Sequence, residues 1–341
     1  MAAAQQLANK TVIGFGASVA AVSTMAGTEI RPAFFVDGNP ALHGESLAGA
    51  PIYHPGHIES WLADNDADDV FVIVFAYATR AVTAIFRQLT KLGLRPNTHF
   101  TDCSTLHYEP MAEQLRTAVG IAPDPELFRK SRNLALSSPL DNRSSIAGTW
   151  LMQQLLRHQL ASGSNNAGDI AEAGVYKGGS AFMTVSMVHD QLGERDYHLL
   201  DSFAGLPELA DQDPASRAGE FADVSVADVR QLFARFSQVH IHAGLFADTF
   251  AAIADRQFCF VYVDCDLYEP AVQCCEFFFP RLTPGGMILF HDYWQDIAEL
   301  PLPSAAPEPF TGIRLAVDEL ATRRGLTVVR FPETTHALLV A

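Results

Sequence analysis

The chain has 341 residues, 48% of them hydrophobic, 10% aromatic and 18% charged, enough apolar material to fill two cores and too much for a disordered chain. A formal net charge of −16, with Lys and Arg scattered along the chain, argues against nucleic acid and anionic membranes as partners. The opening MAAAQQLANK lacks the basic-then-apolar layout of a secretory leader, and VFVIVFAYA is too short to cross a bilayer, so a cytoplasmic location is expected.

The first hundred residues alternate apolar runs with helical patterns. TVIGFG, RPAFFVDG and DVFVIVFAY read as buried strands and RAVTAIFRQLTKLGL as an amphipathic helix, which predicts a parallel sheet. Gly14 and Gly16 make a G-x-G turn, Val19 stands where a dinucleotide fingerprint has its third glycine, and Asp37 ends the second strand at ribose-contact distance. This stretch resembles the small Rossmann-like modules at the front of some sugar-modifying enzymes. Three roles are open for it: binding a nucleotide or nucleotide-sugar, dimerisation or substrate presentation, and dehydrogenation. The last is the poorest, because nothing able to place a nicotinamide follows in the same domain.

Residues 102–140 turn polar and proline-punctuated. The expected organisation is a small Rossmann-like domain over 1–105, a helical linker over 106–140 and a second α/β domain over 141–341. In the second domain SIAGTWLMQQLLRHQLA reads as a helix, and DIAEAGV, YHLLDSF, VHIHAG, CFVYVDCD, GMILFHDY, LTVVRF and THALLV read as strands. The fold class is therefore α/β, two domains each built on a doubly wound, mostly parallel sheet. The five cysteines are odd in number, sit mostly among apolar neighbours and lack zinc-site spacing, as core thiols in a reducing compartment would.

Chemistry concentrates at the carboxyl ends of the second set of strands. In EAGVYKGGSA, Gly174, Gly178 and Gly179 permit a tight turn into a helix whose free N–H groups face a ligand, Glu172 is placed to accept from an ammonium group, and Asp201 closes the next strand where such folds put an acid on a ribose. GLFADTF, VYVDCDLYEP and LTPGGMILFHDYW follow, each at a strand's carboxyl end, so their polar groups line one crevice. His240 and His242 share a face of VHIHAG without a visible third ligand, and the adjacent Cys274 and Cys275 fit helix packing. GLPELADQDPASRAGEF and PLPSAAPEPFTG are irregular and read either as lids or as surface insertions.

The ordered motifs EAGVYKGGSA, LLDSFAGLPE, GLFADTF, VDCDLYEP, LTPGGMILFHDY and AVDEL resemble the macrocin O-methyltransferase family over residues 140–341. The resemblance implies a class I, S-adenosylmethionine-dependent O-methyltransferase of natural-product biosynthesis, a divalent cation, Mg2+ first, and a small-molecule acceptor that is a natural product or sugar; a homodimer is expected. It implies that Glu172, Gly174, Tyr176, Gly178, Gly179 and Ser180 hold the methionine part of the cofactor and that Asp201 and Ser202 take the ribose. Gly244, Phe246 and Asp248 are implied beside the adenine and Asp264 at the edge of the cofactor site. Asp264, His291 and Asp292 then correspond to the metal ligands and Asp266 to the general base.

One departure matters. His291 stands where the family commonly has an acid, and imidazole suits Zn, Mn, Fe or Ni better than Mg, or serves as the base itself. The alternatives are a metal-independent N- or C-methyltransferase, and a nucleotide-binding protein with a non-catalytic second domain.

Overall fold

The computed structural model describes residues 7, 9–26, 28–140, 142–161, 168–293, 302 and 310–341. The chain divides into two compact units, one drawing on Met1–Glu113 and Arg132–Ala147, the other on Gln114–Ser131, Gly148–Gln295 and Glu308–Ala341. The polar stretch expected as a linker is thus shared between the units. It carries the helices Ser104–Gln114 and Pro125–Ser137.

The first unit is built on β1 (Thr11–Phe15), β2 (Phe34–Val36), β3 (Ser46–Leu47), β4 (Ala50–Tyr53), β5 (Val70–Val74) and β6 (Phe100–Asp102), in the order β3-β4-β2-β1-β5-β6. All pairs are parallel except β3 with β4. Strand β5 shows why its sequence is apolar throughout: Phe71 and Ile73 enter one buried cluster, while Val70, Val72 and Val74 enter another. A parallel sheet covered on both faces needs side chains of that kind on every position.

The second unit holds β7 (Asp169–Ala173), β8 (Tyr197–Asp201), β9 (Val239–Ala243), β10 (Phe258–Val263), β11 (Leu282–Phe290), β12 (Val329–Phe331) and β13 (His336–Val340), ordered β12-β13-β11-β10-β7-β8-β9. Only β13 runs antiparallel, between β11 and β12. The seven expected strands are all present. Strand β11 begins earlier than GMILFHDY suggested: Phe258 pairs with Leu282 but Phe260 with Met287, so Thr283–Gly286 bulge out of the ladder. Strand order reverses between β7 and β10, and in an open α/β sheet that reversal opens a crevice at the carboxyl ends of the strands.

The five cysteines are free and buried. Among the described residues no helix is long and apolar enough to cross a membrane.

Candidate active site

The crevice is floored by the turn after β7. Gly174 has φ +91°, and a methyl group there would land on the carbonyl oxygen of Asp264, the residue after β10 whose own N–H donates to Ala173 O at 2.8 Å. Glycine is required because two backbones meet at the switch point. Gly178, φ +80°, then starts the helix Gly179–Val188 with no side-chain cap, leaving its first N–H groups facing the turn.

Asp201 holds this turn in shape. Its Oδ2 accepts from Val175 N at 2.7 Å and Tyr176 N at 2.8 Å, and its Oδ1 accepts from Phe203 N at 2.6 Å. Oδ2 is thereby filled, and Oδ1 keeps a second lone pair for a ligand hydroxyl. Ser202 Oγ donates to Gly205 O at 2.8 Å and accepts from Ala204 N, so that hydroxyl serves its own loop. Gly244, φ +143°, donates its N–H to Asp201 O, and Phe246 is buried in the short helix Phe246–Thr249, from which Asp248 points outward exposed. Between them Leu245 is 51% exposed, an apolar surface beside the ribose-side acid.

Glu172 lies beneath the turn rather than open on it. It is fully buried, Oε1 accepting from Ser180 Oγ at 2.6 Å and Oε2 from Tyr197 OH at 3.2 Å. Burial, with the charges of Asp264 and Asp201 adding to it, pushes its carboxyl up to about 8 against the pull of the two hydroxyls. The carboxylates of Asp201 and Asp264 beside the glycine turn favour positive charge, which fits a sulfonium or ammonium ligand, while Glu172, raised to about 8, carries no charge in its protonated form.

A denser group of acids stands at the ends of β10 and β11. Asp264, His291 and Asp292 each bring a ligand atom within 4.8 Å of the others. His291 Nδ1 lies 2.8 Å from Asp264 Oδ1 and 3.5 Å from Asp292 Oδ1. Burial alone would lower the imidazole, but Asp264 and Asp292 hold it well above the ordinary histidine range. Two carboxylates and an imidazole converging on one point fit a divalent cation, and the nitrogen donor tilts the choice toward Mn, Fe, Ni or Zn over Mg.

Asp266 is placed differently from a simple strand extension. Strand β10 stops at Val263, and Asp266 has φ +65°, so alternation along the strand does not set its direction; its carboxyl instead hydrogen-bonds the Asp292 carboxyl. Burial and the charges of Asp292 and Asp264 push Asp266 well above the usual carboxylate range, while Asp292, despite its burial, is held below it by His291.

Behind this group lie two residues that sequence patterns did not flag. Tyr262 OH is 3.3 Å from Asp264 Oδ2 and 3.3 Å from His336 Nε2, and the His336 ring sits 4.8 Å from that of His291. Tyr262 precedes Asp264 by two residues and was open to inspection; His336 arrives only through the antiparallel pairing of Phe290 with Ala337.

The GLPELADQDPASRAGEF segment is fastened at three points. Asp213 is buried and accepts from Ala210 N at 3.0 Å and from Tyr268 N at 2.9 Å, capping the helix Tyr268–Phe278. Just past the segment, Asp223 accepts from Tyr176 OH at 2.5 Å and Lys177 Nζ at 2.6 Å, and Phe221 packs edge-on against Tyr176. Arg217 stacks over Phe310 at 4.2 Å and is among the charges acting on Asp292. The segment is therefore tied both to the glycine turn and to the acid group. Most of PLPSAAPEPFTG lies outside the described residues.

In the first unit Asp37 repeats the Asp201 arrangement in miniature: Oδ2 accepts from Ala17 N and Oδ1 from Asn39 N, both at 2.8 Å. The acid expected at a ribose contact thus steadies the G-x-G turn.

A doubly wound sheet with an acid-braced glycine turn at its switch point, facing a carboxylate–imidazole group, defines a Rossmann-like domain of the methyltransferase type. The family model described as Macrocin-O-methyltransferase (TylF) matches residues 96–300, more than half of the chain, and the protein belongs to that family. Among curated relatives it is 34% identical over 139 residues to the 8-demethyl-8-(2,3-dimethoxy-alpha-L-rhamnosyl)-tetracenomycin-C 4'-O-methyltransferase of Streptomyces olivaceus, a match covering 37% of this chain and 53% of that one. It is 29% identical over 140 residues to the mycinamicin III 3''-O-methyltransferase of Micromonospora griseorubida, covering 37% and 55%. The chain thus spans about half the length of these relatives. Among solved structures, the O-methyltransferase NovP aligns with 21% identity and a TM-score of 0.48, covering 70% of this chain and 98% of that one.

Proposed function

We propose that the second unit is an S-adenosylmethionine-dependent O-methyltransferase that methylates a hydroxyl of a natural-product sugar with the help of a divalent cation. The observation that carries this reading is the convergence of Asp264, His291 and Asp292 beside the Gly174 turn. Two relatives whose names specify O-methylation of a natural product support the acceptor class.

S-adenosylmethionine supplies the methyl group, and a bound cation supplies a Lewis acid that eases loss of the acceptor's proton. The chain's residues do the rest. The uncapped helix start at Gly179 and Ser180 binds the methionine carboxylate, and Asp201 and Asp264 give the turn the negative field that a sulfonium needs, with Glu172 buried beneath it. Asp201 offers the remaining lone pair of Oδ1 to the ribose, and Leu245 offers an apolar face to the adenine. Asp264, His291 and Asp292 would hold the cation, whose charge would favour the ionised form of Asp266, and Asp266, in contact with Asp292, then receives the acceptor's proton. Asp213 and Asp223 keep the 205–221 segment against the site, where it excludes water. The first unit we assign a scaffold role.

A chelator test separates this reading from metal-independent N- or C-methylation. With a rhamnose-bearing acceptor, EDTA is expected to abolish transfer, Mn2+ or Mg2+ to restore it, and the product to carry an O-methyl group. A rate unmoved by EDTA would remove the cation from the account.

A further inference from the structure

At the other end of β7–β9, away from the glycine turn and the acid group, a second set of titratable side chains is assembled. His198 on β8 is in register with His240 on β9, and His242, two residues on, shares that face. The pair visible in VHIHAG thus gains a third histidine from the neighbouring strand, which no sequence spacing could announce. Asp169 opens β7, and Asp196 immediately precedes β8. Ligand atoms of Asp169, Asp196 and His198 lie within 4.8 Å of one another.

The hydrogen bonds fix which nitrogens face inward. His198 Nε2 lies 3.3 Å from Asp169 Oδ2, and an ionised carboxylate only accepts, so that nitrogen carries the proton and Nδ1 presents a lone pair. That Nδ1 faces His242 Nε2 at 3.1 Å. His240 Nε2 is likewise held by Asp196 Oδ1 at 2.8 Å. A carboxylate that orients a histidine from its far nitrogen is the usual outer support of a metal-bound imidazole.

Two imidazole nitrogens on one tetrahedral zinc, each at about 2.05 Å, are about 3.3 Å apart. The observed 3.1 Å is within tenths of an ångström of that spacing, and a turn of the two rings away from their direct hydrogen bond would aim both lone pairs at a shared ion. Arg256 decides the side on which a cation fits: its guanidinium spans Asp169 Oδ2 at 3.2 Å and Asp196 Oδ2 at 3.4 Å, so a positive charge already engages these oxygens and offsets half of the carboxylate pair's charge. His198 is buried, whereas His242 is half-buried and the His240 side chain is 43% exposed, which gives an ion a way in from solvent.

We propose that His198 Nδ1 and His242 Nε2 bind a borderline transition-metal ion of the Zn2+ class, with Asp169 orienting His198, water completing the shell and His240 at the rim. In the bound form His242 carries its proton on Nδ1, so binding releases no net proton. The ion cross-links the edge strand β9 to β8 and is separate from the cation proposed at Asp264.

Titration calorimetry of the full chain with ZnCl2 tests this, using a His291→Ala background to remove the other imidazole donor. His291→Ala is expected to retain a zinc equivalent of micromolar affinity that Mg2+ does not compete for, and His291→Ala/His242→Ala to lose that equivalent or bind it at least ten-fold more weakly. Arg256→Ala, which removes a competing positive charge and leaves the rings in place, is expected to tighten zinc several-fold; it covers the case in which the His242 variant unfolds, as a circular-dichroism melt would reveal. Unchanged zinc binding in a folded His242→Ala variant, no zinc bound by His291→Ala, or weaker binding in Arg256→Ala overturns the proposal.

Discussion

Gly174→Ala is expected to abolish S-adenosylmethionine binding and to lower the melting temperature by roughly 8–10 °C, the largest effect of any single methyl group in the second unit. The added carbon meets the Asp264 carbonyl, a backbone atom fixed by the parallel pairing of β7 with β10 and by the Asp264 N–H bond to Ala173 O. No rotamer change relieves a clash with backbone. Alanine must also adopt φ +91°, which L side chains rarely do. Steric overlap and left-handed strain together cost about 3 kcal/mol or more, and a domain of this size loses roughly 2–4 °C per kcal/mol. Gly193→Ala is the control. It has φ +64° but nothing nearer than the Arg195 guanidinium at 3.8 Å, so it carries only the backbone strain and is expected to keep cofactor binding. Thermal unfolding followed by circular dichroism measures both; equal, small shifts would show that the β7–β10 crossing is looser than described.

Asp264→Ala and Asp266→Asn are expected to fail in different ways. Asp264 holds the His291 imidazole at 2.8 Å, accepts from Tyr262 OH at 3.3 Å and belongs to the ligand group. Its loss removes a donor and frees the His291 ring to turn toward Asp292, so turnover should fall by about 10³ or more, with no recovery at high metal concentration. Asp266→Asn keeps the side chain's shape and a hydrogen bond to Asp292 but cannot receive a proton. Turnover is expected to drop by about 10²–10⁴ with metal affinity retained. Rates measured across a metal titration separate the two patterns. Normal turnover in Asp266→Asn would take the proton-acceptor role from that residue and leave His291 as the candidate.

Much of this was legible in the sequence, for stated reasons. Strands β5 and β10 are continuous apolar runs because both faces of their sheets are covered, and such runs survive any uncertainty about order. Asp264, His291 and Asp292 could be grouped because each directly follows a strand, and strand ends at a switch point share a crevice. The first unit's edge was less readable: β3 has two residues, and β4 carries Pro51, too short and too broken for a periodic signal. The setting of Asp266 was not readable from strand alternation, because the strand ends at Val263 and the residue turns to φ +65°. The anchors of the 205–221 segment were invisible for another reason. Asp213 finds Tyr268 across 55 residues and Asp223 finds Tyr176 across 47, contacts that depend on where the folded loop lands rather than on any local pattern. His198 joined His242 in the same way, through the register of β8 on β9.

The central claim is that the turn from Gly174 to Ser180 is a cofactor site. Isothermal titration of the full-length protein with S-adenosylmethionine tests it most directly: one equivalent per chain with micromolar affinity is predicted, lost in Gly174→Ala. A correctly folded protein that gives no binding heat at any accessible temperature, and no protection of the second unit against unfolding at saturating ligand, would contradict it.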